Sequence, residues 1–126
     1  MTERLKKEEQ KGKKFDSEKL EWSLLPIDAL CVVVMVFMFG ARKYGKRNWE
    51  NGMDWSRMYN AACRHMTKWY VGQTFDTETG INHLAHAIVS LMMVLAYQMR
   101  NVGTDDRNTK DSELAVHQEY SAKLGD

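Results

Sequence analysis

The sequence predicts an all-α fold: a helical bundle of three long helices plus short terminal helices, assembled as an oligomer. Three observations predict it. Residues 29–39 and 81–101 are apolar on nearly every side, the segment between them carries apolar side chains at helical spacing, and turn residues (Gly45, Asn51-Gly52, Gly72, Gly80) separate the three. A helix apolar all round must be covered all round, and two further helices of this length cannot wrap it. Self-association follows, and the nine methionines suit such an adaptable interface.

The 126 residues make one domain with a thin core. Residues 1–20 form a charged head that stays mobile or forms a solvated helix. Residues 21–101 form the helical core, and residues 102–126 form a polar tail with a short helix possible at 114–124. The apolar run 29–39 is too short to cross a bilayer and has Asp28 at its edge, which excludes a membrane protein. The first 21 residues hold seven Lys/Arg and six Asp/Glu and lack the apolar centre of a secretory signal. Cys31 and Cys63 lie among apolar neighbours with no partner at metal spacing, as expected of small buried side chains in a reducing cytoplasm.

Helix one is expected to start near Pro26, which suits a first turn, with Ser23 as a possible cap and Asp28 complementing the dipole. It runs to Tyr44 and ends at Gly45. The β-branched residues 32–34 let a strand compete, but the length, the proline start and the continuation into Ala41, Arg42 and Lys43 favour helix. Residues 48–53 read as a turn in which Gly52 supplies positive φ. Helix two follows, capped by Asp54 or Ser56 and stopped at Gly72. On its wheel Arg57, Asn60, Arg64 and Lys68 share one stripe, Trp55, Met58, Ala62, Met66 and Trp69 another, and His65 sits on the border. After a polar linker over 73–80, with Thr79 as the expected cap, helix three spans 81–101. Its exceptions to apolarity, His83, His86, Ser90 and Tyr97, fall on one narrow stripe.

Charge is unevenly placed. Between Trp22 and Arg100 eight Lys/Arg face five Asp/Glu, whereas the tail from Asn101 has three against six. The densest run is Arg42, Lys43, Lys46 and Arg47, joined along the chain by Arg57, Arg64 and Lys68. No stripe of interleaved basic and aromatic residues runs the length of the chain, so a compact polyanion fits better than a nucleic acid. Arg and Lys side chains can clamp phosphates, although cations at a helix C-terminus are also favoured on their own account. Tyr44, Trp49, Trp55 and Trp69 can stack a base or fill the core.

His83 and His86, at i and i+3, face one way near a helix start. They could ligate a metal with His65 and Asp76 or Glu78, could cap and tie down the preceding loop, or could move a proton. Asp76 and Glu78 could hold a divalent ion or activate water, or could simply complement the helix dipole. The chain has no GxSxG, GxxxxGK[ST], CxxC, HExxH or His-Asp dipeptide, which removes support for serine chemistry, Walker-type phosphate binding, zincins and HD phosphohydrolases.

The string FGARKYGKRNWENG (residues 39–52), then Arg64-His65, Trp69, Gly72, DTETG (76–80) and HLAHA (83–87), resembles the small phage-borne family of dATP/dGTP diphosphohydrolase N-terminal domains. The resemblance extends over about residues 14–97. It implies a kinship with the all-α nucleoside triphosphate pyrophosphohydrolases of the MazG kind, which use Mg²⁺ held by acids to direct water at the α-phosphorus and work as dimers or tetramers. On that basis the expected partner is a purine nucleotide, the expected cofactor Mg²⁺ or Mn²⁺, and the expected location the host cytoplasm. Expected in catalysis are His65, Asp76 and Glu78, and at the metal Asp76, Glu78, His83 and His86. Expected on the substrate are Arg42, Lys43, Tyr44, Lys46, Arg47, Asn48, Trp49, Arg64 and Lys68. The alternative is a non-catalytic nucleotide-binding protein that sequesters a nucleotide immune signal. One departure stands out: MazG-type enzymes carry ExxE and ExxD on successive helices, where this chain has Arg64 to Lys68 and His83 to His86, and Gln73 stands where an acid is expected.

Overall fold

The computed structural model describes residues 12–108. Among them are three α-helices and no strand: α1 (Ile27–Tyr44), α2 (Trp55–Tyr70) and α3 (His83–Arg100), with 3-10 turns at Trp22–Leu24 and Asn48–Asn51. The all-helical expectation therefore holds. The tail helix expected at 114–124 and most of the charged head lie outside the described residues.

The helix ends show which local signals decided them. Pro26 is the N-cap of α1, one residue ahead of the expected helical position, and its missing N–H would have been unpaired there in any case. Gly45 closes α1 at φ 98°, donating its N–H to Ala41 O at 2.9 Å. The turn expected over 48–53 is a single 3-10 turn entered through Arg47 at φ 58° and left through Gly52 at φ 95°.

Two caps differ from expectation. The Asp54 side chain makes no capping bond; Asp106 arrives from the far end of the described chain instead, and its carboxylate accepts from Ser56 N at 2.9 Å and Ser56 Oγ at 2.5 Å. At α3 the cap is Asn82, whose side chain accepts from Leu84 N, because Thr79 is engaged elsewhere. Residues 102–106 lie beside the entry to α2: Trp55 N donates to Thr104 O, Thr104 N to Met53 O, and Trp55 Nε1 to Val102 O. Gly103 is required in this close approach, since a Cβ there would stand 2.3 Å from Met53 O.

α3 is the central element, packing broadly on α2 and also on α1. Val33 and Val36 of α1 meet Ile81, Ala85 and Val89, with Phe37 and Met93 alongside. Ala62 and Ala87 are buried between helices, where small side chains let backbones approach. A second cluster packs the tilted rings of Phe37, Trp49 and Tyr97 at centroid spacings of 6.1 and 5.9 Å, and Tyr97 donates its hydroxyl to Trp49 O at 2.5 Å. Cys31 is exposed on α1 rather than buried as expected, and Cys63 is half-buried; both are free thiols. No helix among the described residues is long and apolar enough to cross a membrane.

Candidate functional site

The polar stripe of α3 faces the bundle. His83, the first residue of α3, is 1% exposed, and its Nδ1 lies 2.9 Å from Nδ1 of His65 on α2. His86, one turn on, stacks its ring on that of His65 at 4.6 Å and 13°. The three imidazoles thus converge where the end of α2 meets the start of α3.

The loop between these helices supplies the carboxylate and the groups that orient the rings. Asp76 Oδ2 accepts from the backbone N and the Oγ1 hydroxyl of Thr79, both at 3.0 Å. Thr79 Oγ1 also accepts from Ile81 N at 3.1 Å and lies 2.7 Å from His86 Nε2. A hydroxyl has one proton and two lone pairs, so with the proton given to Asp76 the short contact is filled by His86 Nε2–H donating to Thr79. Gln73 Oε1 stands 3.2 Å from His83 Nε2; an amide oxygen only accepts, so this nitrogen of His83 carries the proton and Nδ1 the lone pair.

Electrostatics keep His65 and His86 neutral and Asp76 negative. Burial, reinforced by the neighbouring His86 and His83, pushes the His65 imidazole down to about 4, and burial also lowers His86 against the opposing pull of Asp76. For Asp76 burial pushes the carboxyl up, but the two hydrogen bonds from Thr79 and the nearby imidazoles outweigh it and leave it below the usual carboxylate range. Neutral imidazoles beside an ionised carboxylate are the protonation states a metal needs. Ligand atoms of His65, Asp76 and His83 all lie within 4.8 Å of one another.

Glu78 stands apart from that trio. Its Oε1 accepts from Lys43 Nζ at 2.6 Å, with both side chains about half exposed, and this bond is what raises the Lys43 ammonium.

The basic run divides in two. Tyr44, Lys46, Arg47, Asn48 and Trp49 line a groove of about 760 Å³ between the end of α1 and the start of α2, floored by Phe37 and Met58 and edged by Arg57. Arg42, Lys43, Arg64 and Lys68 are exposed but do not line it. Trp49 is held between Phe37 and Tyr97 with the Arg100 guanidinium 5.5 Å over its ring, whereas Tyr44, 63% exposed with the Lys43 ammonium 5.3 Å over its ring, is the more accessible aromatic. Arg57 was not among the substrate residues expected from sequence, although its place on the basic stripe of α2 carried the signal. Gln73 and Thr79, which orient the cluster, had no such signal. Arg57 and His65 lie eight residues apart on α2, about 12 Å along its axis, which sets groove and histidine cluster two turns apart.

The family model for "dATP/dGTP diphosphohydrolase, N-terminal" matches residues 9–107. The chain belongs to that family. A dATP/dGTP diphosphohydrolase of Salmonella phage PMBT28 is 34% identical over 96 residues, amounting to 76% of this chain and 33% of the phage protein. The chain therefore spans about a third of the length of that relative. No solved structure matches it. The family match covers the groove, the histidine cluster and the 102–106 segment that fastens α2.

Proposed function

We propose that this chain is a nucleotide-handling protein whose groove takes a purine nucleoside triphosphate and that, with Mg²⁺ or Mn²⁺, hydrolyses it to the monophosphate and pyrophosphate. The groove carries this proposal: Lys46, Arg47 and Arg57 offer fixed positive charge to a polyphosphate while Tyr44 offers a ring face to a base. Membership of the family and the name of the phage relative support the substrate class. The divalent ion would sit by the histidine cluster, where Asp76 is the resident carboxylate, and would polarise a phosphoryl oxygen and acidify bound water. Glu78 stays with the Lys43 ammonium, outside the cluster. Arg42, Arg64 and Lys68 add to the field that gathers the anion.

Assembly belongs to the same proposal. The outward faces of α1 and α3 bear Met35, and Leu84, Ile88, Leu91, Leu95 and Met99, each 36% or more exposed, and a second copy is the occupant that covers both.

A non-catalytic role is the second reading, favoured by one observation: among the described residues Asp76 is the one carboxylate in the histidine cluster, Glu78 being paired with Lys43. Here the groove binds and sequesters a nucleotide, an immune signal among the candidates, without turnover. Incubation with each dNTP in Mg²⁺ and in Mn²⁺, followed by nucleotide and pyrophosphate analysis, separates the two. Pyrophosphate release from dATP or dGTP supports hydrolysis, and intact nucleotide co-eluting with the protein supports sequestration. Intact nucleotide with no binding defeats both.

A further inference from the structure

From the way three donors converge, we infer that His65, Asp76 and His83 form a two-histidine, one-carboxylate site, its imidazole nitrogens at right angles about the ion, for an octahedral first-row transition ion of the Mn²⁺ to Ni²⁺ series. This deepens the metal part of the function proposed above by assigning a ligand set that differs from the one the sequence suggested, with His65 in and Glu78 and His86 out.

The spacing decides the geometry. His65 Nδ1 and His83 Nδ1 are 2.9 Å apart. With metal–nitrogen bonds of about 2.1 Å, donors at that spacing subtend about 90° at the ion, whereas a tetrahedral site would hold them about 3.4 Å apart. Right angles belong to octahedral coordination, and imidazole nitrogen favours Mn²⁺, Fe²⁺, Co²⁺ or Ni²⁺ over Mg²⁺, which prefers oxygen. Without metal, one proton fills the gap: His83 Nδ1 is a lone pair, because Nε2–H serves Gln73, so His65 Nδ1–H donates to it. An ion replaces that proton while His65 shifts its own to Nε2, leaving both rings neutral.

The support around the trio is what a metal site requires and what a casual cluster lacks. Each donor is oriented by a partner outside the trio: His83 by Gln73, Asp76 by the N–H and hydroxyl of Thr79, His65 by the stacked ring of His86. His86 is itself excluded as a ligand through Nε2, which is given to Thr79. Glu78 is excluded by Lys43. Three protein donors leave the remaining octahedral positions to water or to phosphate oxygens.

The test is metal binding without nucleotide, so it can fail while hydrolysis stands, and the reverse. Tag-free full chain, stripped with chelator, is titrated with Co²⁺ by visible absorption and with Ni²⁺, Mn²⁺ and Mg²⁺ by calorimetry. Expected is one Co²⁺ per chain with the weak bands of octahedral cobalt, tighter Ni²⁺ than Mn²⁺, and Mg²⁺ weaker than all three. His65→Ala and Asp76→Asn, both at half-buried positions, should each lose at least 100-fold in Co²⁺ affinity while keeping the parent's helical circular dichroism. Gln73→Ala should lose about tenfold. Absence of saturable binding by the folded parent, intense tetrahedral bands, or unchanged affinity in folded His65→Ala and Asp76→Asn would each overturn the assignment.

Discussion

The two faces of α3 contrast more sharply than any two helices of the molecule. The inward face carries His83, Ser90 and Tyr97, all buried, with His86 beside them, while Leu84, Ile88, Leu91, Leu95 and Met99 on the outward face are 36–78% exposed. A polar stripe is thus buried, flanked by Ala85, Ala87 and Val89, while the exposed face is apolar. Among the described residues no buried side-chain nitrogen or oxygen lacks a hydrogen-bond partner, so the inward groups are fixed rather than merely tolerated, and burying polar groups is unfavourable unless they are so fixed. The outward residues follow spacings of four, three, four and four, which is the seam of a helix that meets another helix. The inward face is fixed by partners within the chain, and the outward face has none among the described residues.

Breaking the outward face should have the largest effect. A Leu91→Glu, Leu95→Glu variant places two carboxylates on the seam, and an unpaired charge buried at such a contact costs several kcal/mol, so dissociation constants rise about 100-fold or more. Light scattering after size exclusion should show a multiple of 14.7 kDa for the parent and 14.7 kDa for the variant, with the helical signal retained. A parent that already runs at one chain mass would remove the outward face from the proposal.

Which face of α3 points inward could not be settled by periodicity, because a helix apolar nearly all round has no dominant moment. The polar stripe was legible as a stripe, and its direction came from the partner on α2: His65 pairs with His83 and stacks on His86. The ends of α1 were legible because Pro26 and Gly45 act through their own backbones. The cap on α2 was not, since Asp106 lies 50 residues from Ser56 and only the closed fold brings it there. The same holds for Gly103, whose reason is the carbonyl of Met53. In the candidate site, residue types were readable and assignments were not: Asp76 and Glu78 look equivalent in sequence, yet Thr79 turns one toward the imidazoles and Lys43 draws the other to the surface.

Tyr97→Phe sharpens the contrast from the inward side. The phenol is 1% exposed and its hydroxyl has a single assigned role, donating to Trp49 O. Removing it strands a carbonyl at the heart of the aromatic cluster and should cost about 1–2 kcal/mol, read as a lower midpoint in urea with an unchanged slope. The groove should be affected too, since Trp49 sits on its wall. A variant as stable as the parent would mean that water serves the carbonyl.

The smallest effect is acid sensitivity of the inward face, measured on metal-free protein. His65 titrates at about 4 in the fold against about 6.5 in an unfolded chain. Between those values the unfolded chain binds more protons, so stability rises with pH: the contribution is complete above 6.5 and is lost as pH falls toward 4. His86 is lowered as well and acts with the same sign. The charges facing His65 are Asp76, which favours its protonated form, and Lys68, which opposes it, along with His83 and His86. Asp76, held below the usual carboxylate range, stays ionised through this window. Because the ring is only half-buried and solvent screens it, the loss at pH 5 relative to pH 7.5 should be about 1 kcal/mol, seen as a lower Tm. His65→Gln should flatten that dependence while leaving Leu91 and its outward neighbours untouched; an equal pH dependence in the variant would place the acid sensitivity elsewhere.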